Sequence, residues 1–232
     1  MKRRAFLFAI TAATLVPPAF AQGKPIKIGV IGSGKIGSTL GGLWIKAGHE
    51  VMFSDRDAET AKRVASELGP RARAGSAEQA VAFGDAVLIA VPYGALPAVA
   101  QQVGAQLKGK IVIDPNNPVP ARDGELGAQA KEKGAAISTA AILPGARLVR
   151  AFNSWGYQKV ASEANRPAPR MAIPVASDDP AALKVGLQLV QDAGFDAVPA
   201  GSLAASKAFD LGSSVSGKVM TAEELRKALS LN

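Results

Sequence analysis

The chain has 232 residues, no cysteine and one histidine, His49. Disulfides, thiolate metal sites and cysteine nucleophiles are therefore excluded, and one histidine is too few for a multi-histidine metal centre. Basic residues outnumber acidic ones 27 to 19, a net charge of +8, yet no dense basic run interleaved with aromatics suggests nucleic acid as a partner.

Residues 1–21 open with Met1-Lys2-Arg3-Arg4, continue as an uncharged run and end in Ala19-Phe20-Ala21. A basic start, an apolar middle and an A-x-A site describe a cleaved export signal. A membrane anchor is the other reading, but the run is shorter than the roughly 20 residues a bilayer needs, and Pro17-Pro18 breaks it. No stable anchor is expected, and the mature chain is placed in the periplasm or outside the cell. Arg3-Arg4-Ala5-Phe6-Leu7 also looks like the twin-arginine export motif, whose route carries folded proteins. Cleavage would leave 24 basic and 19 acidic residues, a net charge of +5, which suits an anionic cofactor.

Residues 26–31 form an apolar run around Ile28, Val30 and Ile31, read as a buried strand. The loop Gly32-Ser33-Gly34-Lys35-Ile36-Gly37 follows at once. Ile36, Leu40, Leu43, Trp44 and Ala47 then fall on one helical face, and Gly48 stops the helix. His49 lies in the turn before the next strand, Val51-Met52-Phe53, and is read as a solvated turn residue. A second helix buries Ala61, Val64, Ala65 and Leu68 and ends at Gly69-Pro70.

Ser76 and Gln79 have the spacing of a capping box. Residues 86–91 form an unbroken apolar strand of the kind buried on both faces of a parallel sheet. A helix with Leu96, Val99, Ala100 and Val103 leads to the strand Ile111-Val112-Ile113, which ends at Asp114-Pro115-Asn116-Asn117-Pro118. Residues 148–152 and 171–176 read as further strands, the second near an edge because Pro174 cannot donate to a ladder. Asp179-Pro180 opens a helix closed by Gly194, and Thr221 with Glu224 caps a last short one.

Strands alternating with helices of these lengths mean βαβ units. The class is α/β, a Rossmann doubly wound, mostly parallel sheet with a short C-terminal α/β extension. Residues 22–143 form the dinucleotide-binding core, and residues 144–232 complete the same domain.

In its strand–loop–helix setting the glycine pattern assigns a role to each position. Gly32 permits the tight turn, Gly34 lets the backbone approach a diphosphate, and Gly37 allows close helix packing, while Ser33 can add a hydroxyl. A βα turn that needs glycine for geometry alone is the alternative. Cofactor choice falls at the end of the second strand, where Ser54-Asp55-Arg56 offers both a carboxylate for ribose hydroxyls and a cation for a 2′-phosphate. Asp55 could instead cap the following helix.

With these segments, Ala90-Val91-Pro92-Tyr93-Gly94, the Asp114 to Pro118 turn and residues 144–153 in order, the chain resembles the coenzyme F-420-dependent NADP oxidoreductase family, over about residues 26–231. The resemblance implies that the glycine loop (Gly32, Ser33, Gly34, Lys35, Ile36, Gly37) binds pyrophosphate and that Ser54, Asp55 and Arg56 bind the adenosine end. It also implies that Val91, Pro92 and Tyr93 border the nicotinamide. Family members commonly carry Ser-Arg at the adenosine turn, so Asp55 is a departure that counts against the 2′-phosphate. The cofactor is NADP or NAD, and the co-substrate implied is a deazaflavin or flavin.

The reaction expected is direct hydride transfer to a planar small-molecule acceptor, which needs positioning more than a proton relay; no catalytic residue is assigned. Asn116, Asn117 and Asn153 reach the carboxyl edge of the sheet, and Asn116 and Asn153 are the candidate acceptor-binding residues, turn chemistry being the alternative. Trp155 and Tyr157 could form a stacking wall, or belong to the core or a dimer interface. A non-catalytic dinucleotide-binding module and a small imine or carbonyl reductase remain open, as does a homodimer.

Overall fold

The computed structural model describes residues 24–231; the export signal read at residues 1–21 lies outside them. The first strands and helices are β1 (Lys27–Ile31), α1 (Lys35–Lys46), β2 (Glu50–Ser54), α2 (Ala58–Leu68), β3 (Ala72–Ala74), α3 (Ala77–Phe83), β4 (Ala86–Ile89), α4 (Leu96–Leu107) and β5 (Ile111–Asp114). They are followed by α5 (Pro120–Lys133), α6 (Ala135–Ile142), β6 (Arg147–Arg150), α7 (Tyr157–Glu163), β7 (Ala172–Val175), α8 (Pro180–Asp192), β8 (Asp196–Pro199) and α9 (Ala222–Ala228). Six strands pair in parallel in the order β3-β2-β1-β4-β5-β6. This is the Rossmann order, and it turns round between β1 and β4. Ile31 there lies between Ser54 of β2 and Ile89 of β4.

Alternation along the central strands sends side chains to two cores. Ala86 and Leu88 join one with Leu40, Trp44, Phe53, Phe152 and Phe195, while Val87 and Ile89 join another with Val81, Leu96, Val103 and Leu107. A strand buried on both faces must be apolar throughout, which is why residues 86–89 read AVLI. The helix starts hold as read: the capping boxes Ser76/Gln79 and Thr221/Glu224 both form, and Asp179 accepts from two N–H groups of α8. Such caps contribute about 1 kcal/mol each.

Beyond Arg150 the architecture changes. β7 and β8 form a separate parallel pair, with Pro174 opposite Val198. β7 meets β6 through one antiparallel bridge, Arg150 to Ala176, so the N–H that Pro174 lacks is missed by no long ladder. A third cluster around Phe209, Val215 and Leu225 packs on this pair.

His49 is corrected from its reading as a solvated turn residue, because it is 1% exposed. Its Nδ1 accepts the Ile26 N–H at 3.1 Å, so Nε2 carries the proton and donates to Asp192 at 3.0 Å. The pair ties the start of β1 to the end of α8. Among the described residues no helix is long and apolar enough to cross a membrane.

Candidate functional site

At the β1/β4 reversal the glycine loop bends over the sheet edge, and each glycine meets a different surrounding. Gly32 has φ +93°, and a Cβ there would overlap the Ala90 carbonyl. At Gly37 a Cβ would strike the Gly32 carbonyl, so α1 could not lie against the loop. Gly34, the N-cap of α1, faces open space: a Cβ would meet nothing within 4 Å. No side chain caps α1, and no acidic residue lies in its first turn. An open face before the uncapped positive end of a twelve-residue helix fits a diphosphate.

Asp55 does not cap α2, and its carboxylate turns back on the glycine loop. Its Oδ2 accepts from both the N–H and the hydroxyl of Ser33 at 2.9 Å, and its Oδ1 accepts from the Asp57 N–H at 3.2 Å. Asp57, not Asp55, caps α2, by accepting from Glu59 N–H. Three of the roughly four acceptor positions of the Asp55 carboxylate are thus engaged within the chain. Ser33 is 2% exposed and Ser54 1%; Ser54 donates inward to the Val30 carbonyl at 3.0 Å. Arg56 alone of the three turn residues is exposed and makes no hydrogen bond or ion pair within the described chain.

From the loop a cleft of about 730 Å³ runs across the carboxyl ends of β4, β5 and β6, a size suited to a small organic ligand. Gly34, Lys35 and Ile36 form one end, Val91 and Pro92 the floor beyond β4, and Asn116, Asn117 and Arg122 the part beyond β5. Asn153, Ser154, Trp155 and Tyr157 close the far wall. Tyr93 does not reach it. The single 3-10 turn Tyr93–Ala95 swings the ring into the core, where its hydroxyl donates to the Ala135 carbonyl at 3.2 Å. Burial there pushes the phenol pKa up.

Asn116 lines the cleft, but its Nδ2 is fastened to the Ile89 carbonyl at 2.8 Å, joining the ends of β4 and β5. Asn153 follows Phe152, whose φ of +63° turns the chain sharply after β6. Its Nδ2 donates to the Phe209 carbonyl at 3.0 Å, and its Oδ1 is buried without a partner. Trp155 donates to the Lys218 carbonyl, which fixes its ring in the wall. Tyr157 accepts from Lys35 Nζ at 3.0 Å, with the ammonium 4.9 Å from the ring centroid.

These strand ends are held by Arg150, which is fully buried. Its guanidinium reaches Asp114 at 3.2 Å, Asp210 at 2.8 Å, the Asn116 carbonyl and the Asn117 Oδ1. Burial pushes the Asp114 carboxyl up, and the Arg150 charge pulls it back in part. Arg122 and Lys159 are cleft residues that the sequence reading missed. A basic residue in a polar run carries no pattern of its own, and only the fold brings residues 122 and 159 to one cavity. Lys35, Arg122 and Lys159 are the charged residues of the lining, with no carboxylate among them. The described residues hold no group of His, Cys, Asp and Glu suited to a metal ion.

Residues 27–118 match the family model described as NADP oxidoreductase coenzyme F420-dependent. The matched span includes the glycine loop, the turn at residues 54–56 and the ends of β4 and β5. No curated protein matches the chain in sequence. Among solved structures, a hypothetical protein from Sinorhizobium meliloti is similar at 24% identity and TM-score 0.71, over 87% of this chain and 98% of that one. A candidate F420-dependent NADP reductase from Arthrobacter sp. is similar at 21% identity and TM-score 0.64, covering 79% and 88%. A 3-hydroxyisobutyrate dehydrogenase from Mycobacterium tuberculosis aligns at 22% identity and TM-score 0.60 over 80% of this chain, which spans 57% of that one. At such identities the likeness establishes the fold.

Proposed function

We propose that the chain is an NADP-dependent oxidoreductase that passes hydride between the nicotinamide and a planar acceptor of the flavin or deazaflavin kind. The observation that carries this reading is the open face of Gly34 at the head of an uncapped helix, opening into a cleft that continues past β4 to β6. When bound, the nicotinamide supplies a hydride, two electrons with one proton.

The chain's own residues bind and orient. Backbone N–H groups at the start of α1 and the Lys35 ammonium receive the diphosphate, and the free guanidinium of Arg56 receives the 2′-phosphate. Val91 and Pro92 give the nicotinamide an apolar floor, and Trp155 excludes water from the far side. Asn116 and Asn153 offer amide oxygens to N–H groups of the rings. The second proton that a reduced flavin-like ring needs comes from solvent, directly or through the ammonium groups of Lys35 and Lys159 in the lining.

Titration of the purified protein with NADPH and NADH, followed by anaerobic reduction of coenzyme F-420 and of FMN, tests the reading. Tight NADPH binding with turnover of either acceptor is the expected result. Absence of binding by both nucleotides would remove it.

A further inference from the structure

Resting on that reading, we propose that the acceptor carries a phosphate or carboxylate and that Arg122 is the residue that recognises this charge. The dinucleotide's own phosphates belong at Gly34 and Arg56, on the β1–β2 side of the sheet. Arg122 lies past β5, on the opposite side of the nicotinamide position, and so remains for a second anion.

The guanidinium of Arg122 is held for this task. Its Nε and Nη2 donate to the two oxygens of Asp123 at 2.8 Å each, and Nη2 also donates to the Asn117 carbonyl at 3.0 Å. The Asp123 side chain is itself buried, and it accepts from the N–H groups of Gly94 and Val119. Nη1 makes no hydrogen bond within the described chain, while half of the side chain is open to solvent beside the cleft. An arginine braced along one edge and free at the other presents donors to an oxyanion with little loss of side-chain freedom.

A second observation points to a ligand at the same end. Asn153 is 1% exposed and lines the cleft, yet its Oδ1 has no partner. Its Nδ2 is fixed on the Phe209 carbonyl, which settles which amide atom is the oxygen. A buried acceptor left unpaired costs about 1–3 kcal/mol, and an N–H on the ring of the acceptor would satisfy it. The ligand at this end therefore carries a donor for Asn153 and an oxyanion for Arg122.

Two matched pairs of probes test the inference on the protein loaded with NADP: FMN against riboflavin, and a cyclic imine with a carboxylate, piperideine-2-carboxylate, against uncharged piperideine. Dissociation constants are measured for the wild type, Arg122→Leu and Arg122→Lys, with nucleotide affinity and melting temperature followed in each. The expected result is that the charged member of one pair binds roughly tenfold or more tightly than its neutral twin. This preference should vanish in Arg122→Leu, persist in part in Arg122→Lys, and weaken as salt is raised. A preference confined to the imine pair would keep Arg122 as the anion site and replace the flavin-like acceptor of the proposed function with a carboxylate-bearing imine. Equal binding within both pairs, no binding by any of the four, or a preference that survives Arg122→Leu overturns the inference. Failure of the wild type to bind either nucleotide would instead remove the proposed function.

Discussion

The ammonium of Lys35 donates to the phenolic oxygen of Tyr157 at 3.0 Å, so the glycine loop and the start of α7 are joined across the mouth of the cleft. The contact spans 122 residues of sequence and is exposed to water. Such a bond contributes about 1 kcal/mol at most. Lys35→Gln is expected to weaken NADPH binding about tenfold by removing a charge from the diphosphate position. Tyr157→Phe keeps the ring and should change it by no more than roughly threefold. Calorimetric titration of both variants at two salt concentrations checks this, with the larger salt dependence expected in the wild type.

The glycines of the loop separate by what surrounds them. Gly34→Glu should leave the fold intact, because the space is open, and abolish nucleotide binding by filling it. Gly37→Ala is expected to destabilise the protein by about 3 kcal/mol, since the added methyl strikes the Gly32 carbonyl. Denaturant melts and a nucleotide titration of each variant would separate the two effects. Undiminished binding in a folded Gly34→Glu protein would remove the cleft as the nucleotide site.

At the adenosine end, Arg56→Ala should weaken NADPH binding roughly tenfold and leave NADH within about twofold. Asp55→Ala is expected to weaken both nucleotides alike, because it releases Ser33 and loosens the loop. A rise in NADPH affinity in Asp55→Ala would mean that the carboxylate acts on the 2′-phosphate by repulsion instead.

Acid sensitivity should reside partly in Asp123. Hydrogen bonds from Arg122, then from Val119 and Gly94, hold its pKa down to about 2. The folded value lies below the unfolded one, so this stabilisation is complete above about pH 4 and is lost as pH falls toward 2; it amounts to on the order of 1–2 kcal/mol. Asp123→Asn should flatten the acid limb of stability measured by urea melts from pH 2 to 7. An unchanged limb would mean that the carboxylate gains nothing from Arg122.

Tyr93→Phe is expected to cost about 1 kcal/mol of stability through its lost bond to Ala135, and to leave nucleotide affinity unchanged. An affinity change with unaltered melting would return Tyr93 to the cleft.

Apart from β3, the course of the chain through α4 was legible in the sequence because period and punctuation agree there. Glycine follows strand β1, Gly48 and Gly69 stop helices, and Ser76 and Gln79 cap one. Other elements left no such trace. β3 is three residues long, too short to show alternation, and two of its residues are exposed. In α5, Pro120, Gly124 and Gly127 read as breakers, and the helix does kink at Gly124, with φ +60°. In the site, residue type was legible and direction was not. Nothing in Ser54-Asp55-Arg56 says that the carboxylate turns back on Ser33, or in Val91-Pro92-Tyr93 that a one-turn 3-10 segment rotates the third side chain into the core. The burial of His49 depends on Asp192, which lies 143 residues away.

The cleft has two walls of different origin along the chain. The loop, the ends of β4 and β5 and the turn at Asp55 all precede residue 119, within the span of the family match. Arg122, Asn153, Trp155 and Lys159, with Leu211 and Gly217, come from beyond it. The second wall is carried on segments that follow β5 and are tied to the first half by the Trp44–Leu189 and His49–Asp192 bonds and by the core shared with Phe152 and Phe195. A hybrid joining the first half of this chain to the later half of another would have Arg150 with its bond to Asp114, the His49–Asp192 pair and the Trp44–Leu189 bond as the seam to preserve.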